Sequence, residues 1–230
     1  MHLRLPVLLC FGLWLSPSAQ AARPMVTDDA RIVDDKSCQL ESWVKTRRDS
    51  EEYWALPSCN FSGNLELALG GASTRANGES RTSDVVLQGK TLFKTLEPNG
   101  WAWGLTAGIA HHPDLAREMI GDIYAYIPAS FSFRDDKVVL HTNLGWARTQ
   151  DKHHDAMLWG LGSEVEMTSR TWLIAEIYGE NQGNPYYQIG LRHWVVPNRV
   201  QVDATYGNRN NGGDNWISIG LRLLSPAFLP

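Results

Sequence analysis

No run in this chain approaches the about 20 consecutive apolar residues of a membrane-crossing helix, so no transmembrane helix is expected. Helical periodicity is scarce as well, and Asp114–Ile120 is the one stretch that suits a helical turn. Basic residues are not in excess: 21 stand against 25 acidic ones, which argues against nucleic acid and against a cationic membrane-surface role. Neither Gly70-Gly71 nor Gly207–Gly213 has the spacing of a phosphate-binding loop. Cysteine is rare. Of the three, Cys10 falls in a segment expected to be removed, leaving Cys38 and Cys59.

That segment is Met1–Ala21, with one early basic residue (Arg4), an apolar run from Leu5 to Leu15, and small residues before Ala21. This is the pattern of a secretory signal peptide, so the chain is expected to be exported. Residues 22–37 form an Asp-containing leader, expected in the periplasm with folding into a barrel lumen as the other option, and residues 38–230 form one barrel domain. In an exported chain Cys38 and Cys59 are a candidate disulfide closing a loop of about 20 residues, worth about 3 kcal/mol in the chain-entropy model; two free thiols are the alternative.

The rest of the chain alternates. About twelve segments carry apolar residues at every second position, bounded by turn residues, near 38–46, 50–59, 64–73, 83–94, 100–111, 122–133, 137–148, 157–167, 171–180, 185–196, 199–208 and 214–224. In Arg199–Tyr206, Val200, Val202, Ala204 and Tyr206 share one face, and Arg199, Gln201, Asp203 and Thr205 the other. Connections after even-numbered strands are mostly short. Those after odd-numbered strands, such as Thr74–Thr82 and His112–Gly121, are longer and more polar, as in outer-membrane barrels. The ten tryptophans suit that architecture: Trp101, Trp103, Trp172 and Trp194 fall near one set of strand ends, Trp43, Trp146, Trp159 and Trp216 near the other, as interfacial belts would. The expected fold is all-β, an antiparallel transmembrane up-and-down β-barrel of 12 strands, with 10 or 14 as alternatives.

With the apolar face to lipid, the inward face collects Glu41, Glu66, Glu164, Glu176, Arg192, Asp203 and Arg222. Counting back from the Pro197-Asn198 turn sets Arg192 across from Asp203, and the turn near Thr168–Arg170 sets Glu176 opposite Gly162 and Tyr178 opposite Gly160. Two readings of this set stay open: a pore lining that selects solutes, or a structural network that plugs the barrel.

Other constellations carry less. His111-His112 and His153-His154 with Asp114, Asp151 and Asp155 are polar-loop residues rather than a metal site, and no metal or cofactor is expected. His141 and Asn143 share a strand face, with serines on the strand before, which distantly suits a lipid-cutting barrel; an inward hydrogen-bonding histidine is the plainer reading. Asn60-Phe61-Ser62 matches a glycosylation sequon by chance in a turn.

Several motifs resemble the outer-membrane channel proteins of Gram-negative bacteria grouped as the MetA-pathway of phenol degradation family. They are Arg23-Pro24, Thr27–Ala30, Cys38–Trp43, Asn64–Leu67, Gln88–Phe93, Glu97–Gly100, Gly190–Trp194, Val202–Tyr206 and Ile217–Arg222. The resemblance implies an outer-membrane barrel that passes hydrophobic or aromatic compounds, and it brings no catalytic residue. The chain departs from the aromatic C-terminus common in such barrels, because it ends Ser225-Pro-Ala-Phe228-Leu-Pro230.

The expected function is a passive channel for small solutes in the Gram-negative outer membrane, monomeric by default. Its expected partners are outer-membrane lipid and a small-molecule solute, with no nucleic acid and no enzymatic reaction. The alternatives are a plugged structural or envelope barrel, an outer-membrane lipid-modifying enzyme, and a soluble periplasmic ligand-binding barrel.

Overall fold

The computed structural model describes residues 25–113, 121–149 and 154–230, so the signal-peptide segment, the Asp114–Ile120 turn and His153 lie outside it. The strands are β1 (Cys38–Thr46), β2 (Ser50–Asn60), β3 (Glu66–Ala76), β4 (Glu79–Lys94), β5 (Trp101–His111) and β6 (Asp122–Phe133). They continue as β7 (Val138–Thr149), β8 (His154–Thr168), β9 (Thr171–Glu180), β10 (Tyr186–Val196), β11 (Val200–Arg209) and β12 (Trp216–Leu224). Each pairs antiparallel with the next, and β12 returns to β1, closing the barrel and leaving no sheet edge unpaired.

The barrel is apolar outside and polar within. Leu69, Leu87, Leu144, Leu161, Ile189, Ile217 and Ile219 are exposed on the outer wall, with Ile219 at 64%. Gln88, Lys90, Thr106, Ser130, Gln188, Arg192, Gln201 and Arg222 alternate with them and are buried. An outer band of that kind needs hydrocarbon rather than water around it, and a closed barrel satisfies every ladder hydrogen bond within the sheet.

Two ends can be told apart. The disulfide end holds Cys38 at the start of β1 and Cys59 near the close of β2; they face each other in register and are bonded. There Ser225 N donates to the Cys38 carbonyl, and Phe228 N and Leu229 N donate to the Lys36 carbonyl, so the C-terminal tail folds over the entry to β1. The other end, the loop end, carries the 112–121 connection.

The expected contrast between short and long connections largely contracts. Thr74–Thr82 is not a loop, since β3 and β4 run on to a two-residue turn, Asn77-Gly78, with φ of 53° and 82°. An Asn-Gly pair with both φ positive is the turn whose twist matches a hairpin.

The tryptophan belts are also corrected. Trp101, Trp103 and Trp146 do face outward, but Trp194 and Trp216 are buried at 5% and 3% exposure. Trp43 lies on the Glu41 face and stacks on Trp54 at 5.1 Å, and Trp172 lies on the face of Ile174 and Glu176. The period of two fixes this: each of these rings shares parity with an inward polar residue.

Candidate functional site

The polar wall does not enclose an open pore. Residues 25–37, for which the periplasm and the lumen were the two places expected, run up inside the barrel, from the disulfide end toward the loop end; Met25, Thr27, Asp29, Ala30, Val33 and Ser37 are all buried. The reason is hydrogen bonding. Residues 25–33 of this strap form no ladder with a neighbouring strand, and wall side chains supply acceptors for their backbone amides.

Those acceptors climb the barrel in order. Near the disulfide end, Glu66 on β3 accepts Val33 N at 2.6 Å, and Asn60 on β2 donates to the Val33 carbonyl at 2.9 Å. Higher up, Ser130 on β6 accepts Ala30 N at 2.8 Å. Asn143 on β7 makes a reciprocal pair with Asp28, accepting its N–H at 2.6 Å and donating to its carbonyl at 2.8 Å. Toward the loop end, Glu176 on β9 takes Val26 N at 2.8 Å on one oxygen and Thr27 N at 2.6 Å on the other. Room for the strap comes from two glycines on β8: a Cβ at Gly160 would stand 2.6 Å from Thr27 Oγ1, and one at Gly162 would stand 2.7 Å from Met25 Cε.

Charges link the strap to both sides of the lumen. Arg192 on β10 donates through Nε to Asp203 on β11 at 2.8 Å and through Nη1 to Glu164 on β8. Glu164 faces Arg31 of the strap at 3.7 Å, and Arg31 faces Asp29 at the same distance. Across the lumen, Lys90 on β4 binds Asp29 at 3.2 Å and Asp28 at 3.0 Å, while Tyr126 OH donates to Asp28 at 2.9 Å. The sign alternates from Asp203 to Asp28 without a break. An unpaired charge at such depth would be expensive, and alternation is what makes the burial tolerable.

The seven inward charges read from the sequence therefore split three ways. Glu164, Arg192 and Asp203 come together in the ion chain, in the register expected for Arg192 and Asp203. Glu41 and Arg222 meet at 3.8 Å, and Arg222 also donates to Gln39. Glu66 and Glu176 grip the strap from opposite ends of its path. Gly162 does face Glu176, and Gly160 does face Tyr178, but the space they leave is filled by Met25 and Thr27 as well. Lys90 was not among the residues read from the sequence. On β4 the apolar residues Val86 and Leu92 share its inward face and Gly89 faces out, so the alternation that marks the other strands is blurred there.

The His141 and Asn143 constellation forms part of the strap clamp. Ser130 Oγ lies 2.8 Å from His141 Nδ1, and His141 Nε2 lies 3.4 Å from Glu164. Ser130 and His141 are both at 0% exposure, and Ser130 already carries the Ala30 amide, so no lipid reaches that hydroxyl. At the loop end, His112 is held between Asp84 at 2.9 Å and Asp122 at 3.2 Å. Among the described residues, no three His, Cys, Asp or Glu side chains are grouped to hold a metal ion. Asn60 of the sequon is buried against Val33, out of reach of glycosylation.

What free volume remains is uneven. Beside the strap, between Lys90, Glu66, Gln39 and Arg222, the gap is about 20 Å³, room for about one water. Above the strap's end a chamber of about 380 Å³ opens among Tyr126, Leu158, Trp159, Tyr178, Tyr186 and Arg209. A second space, of about 200 Å³, lies across Val26 among Trp43, Trp54, Lys45 and Trp216.

Residues 9–224 match the family described as Uncharacterised conserved protein UCP029691. The chain belongs to that family. No curated protein sequence matches this chain. Its barrel is similar to the KdgM porin, with a TM-score of 0.62 at 7% identity over 80% of this chain and 98% of that one. The NanC porin superposes with a TM-score of 0.57 at 12% identity, over 81% and 98%. The COG4313 outer membrane channel from Pseudomonas putida F1 gives 0.55 at 9%, over 89% and 100%. At such identities the likeness is one of fold: the closed antiparallel barrel of outer-membrane channels.

Proposed function

We propose that this protein is a passive outer-membrane channel whose pore its own N-terminal strap holds shut at rest. The carrying observation is the binding of strap amides by Glu66, Ser130, Asn143 and Glu176, with a gap of about 20 Å³ beside the strap between Lys90, Glu66, Gln39 and Arg222. In this reading residues 1–21 are removed on export, the disulfide end faces the periplasm and the loop end faces outward. The porins and the channel that share its fold support an outer-membrane barrel. With the strap withdrawn, the same wall charges would line the pore and set its selectivity.

The chamber at the loop end supports small hydrophobic or aromatic solutes, as does the motif resemblance to the phenol-degradation group. Its size is about 380 Å³, and its Tyr178, Tyr186 and Leu158 walls offer faces for a ring while Arg209 and Asn184 offer polar contacts. A plugged structural barrel is the second reading, favoured by the unbroken ion chain from Asp203 to Asp28. No reaction is part of either.

Planar-bilayer conductance separates the two. A protease site placed at the exposed Asp34-Asp35 turn lets the strap be cut after the barrel has folded. The channel reading expects the intact protein to be closed and the cut protein, once the released strap has been washed out of the folded barrel, to conduct in stable steps. Equal conductance of both would remove the strap as gate, and silence of both would leave the structural barrel.

A further inference from the structure

We propose that the lumen is a binding site for an acidic peptide, and that residues 25–33 are its resident ligand, replaceable by the same sequence supplied from outside the chain. This rests on the closed-strap reading above and names what the lumen recognises.

Two kinds of contact point to a peptide. The first is sequence-independent: Glu66, Ser130, Asn143 and Glu176 bind main-chain N–H groups of Val33, Ala30, Asp28, Thr27 and Val26, which any extended peptide other than proline presents. The second reads side chains. Lys90 takes two consecutive carboxylates, Asp28 and Asp29, and Glu164 faces the cation two residues on, Arg31. Together they specify the pattern Asp-Asp-x-Arg. Gly160 and Gly162 keep the wall open where this backbone passes, since a Cβ on either would collide with Thr27 or Met25.

The strap is also joined to the barrel as a ligand on a tether would be. Its main-chain to main-chain bonds begin only at the turn of Asp34 to Ser37, and Asp34, Asp35 and Lys36 are exposed at the disulfide end. The wall bonds the amides of Val26, Thr27, Asp28, Ala30 and Val33 without help from that turn. Cutting the turn therefore leaves the recognition intact and makes it bimolecular.

The test uses the whole chain, folded, cut at the Asp34-Asp35 turn and washed free of the released strap, with a fluorescent peptide of residues 25–36 followed by anisotropy. Heat-modifiable gel mobility confirms that the cut barrel stays folded. The labelled peptide should bind saturably, and a peptide carrying Asp28→Lys and Asp29→Lys should bind the same barrel roughly tenfold more weakly, at least. In a Lys90→Glu barrel the order of the two peptides should reverse; if that barrel does not fold, Glu164→Gln with an Arg31→Gln peptide replaces it. Failure of any peptide to enter, or equal binding of both peptides, would overturn the proposal. Binding without any change in conductance would keep this inference and sink the gate, so the two failures are distinct.

Discussion

Gly162 and Met25 are fitted to each other: a Cβ added to the glycine would stand 2.7 Å from the methionine Cε. The glycine lies on β8 directly opposite Glu176, the residue that takes two strap amides on its two oxygens. One strand thus provides the clearance and its neighbour the grip.

Replacing Gly162 with leucine should therefore expel the upper strap while leaving the barrel ladder intact. Trypsin offers the measurement, because Arg31 is largely buried in the intact lumen. Cleavage after Arg31 in the folded variant should be faster by tenfold or more, on the order of the 1.4 kcal/mol that a tenfold shift represents. Unchanged protection would mean that the strap does not pass this glycine.

Arg192 is the hub of the ion chain, bonded to both Asp203 and Glu164 at 1% exposure. Arg192→Met leaves two carboxylates facing each other inside the barrel, at an expected cost of about 3–5 kcal/mol. Exchanging Arg192 and Asp203 should recover only part of it, because Glu164 would then meet an aspartate at position 192. Urea unfolding in detergent checks both values; a loss under about 1 kcal/mol for Arg192→Met would contradict the chain.

His112 clips β4 to β6 across the end of β5 through Asp84 and Asp122. Burial works against its protonation, but the hydrogen bond with Asp122 and the charges of Asp84 and Asp122 outweigh it, so its pKa is raised above 6.5. A raised value means that the clip contributes fully below about pH 6.5 and is lost as pH climbs through the folded-state pKa. His112→Asn should accordingly lower the unfolding midpoint at pH 6 and scarcely alter it at pH 9. A deficit of the same size at both pH values would rule out the charged clip.

The barrel was legible because a period of two needs only neighbouring residues. Arg199–Tyr206 shows its faces openly, and the two-residue logic of turns placed Arg192 against Asp203 with no structure in hand. Cys38 and Cys59, the two cysteines left after the signal segment, are bonded across the β1–β2 hairpin. The lumen stood as one of two places for the leader, but its path and partners were not legible, since Met25–Val33 has no periodicity and its partners lie far away: 33 residues on for Val33 and Glu66, 150 for Val26 and Glu176. Period two assigns a residue to the lumen face but is silent on what fills the lumen. The tryptophans failed for a related reason. Proximity to a strand end suggested lipid anchoring for Trp43, Trp194 and Trp216, whereas their parity with Glu41, Arg192 and Ser218 put them inside.

The central claim is that residues 25–33 lie within the barrel, and a cross-link tests it most directly. The Cβ of Thr27 stands 3.3 Å from the Cβ that Gly160 would carry, close to the about 3.8 Å of a disulfide pair. With cysteine at both positions, mass spectrometry of the folded protein should find 27 linked to 160 alongside the native Cys38–Cys59 bond. A free cysteine at 27 that a bulky, membrane-impermeant thiol reagent labels at once would place the strap outside the lumen and contradict the account.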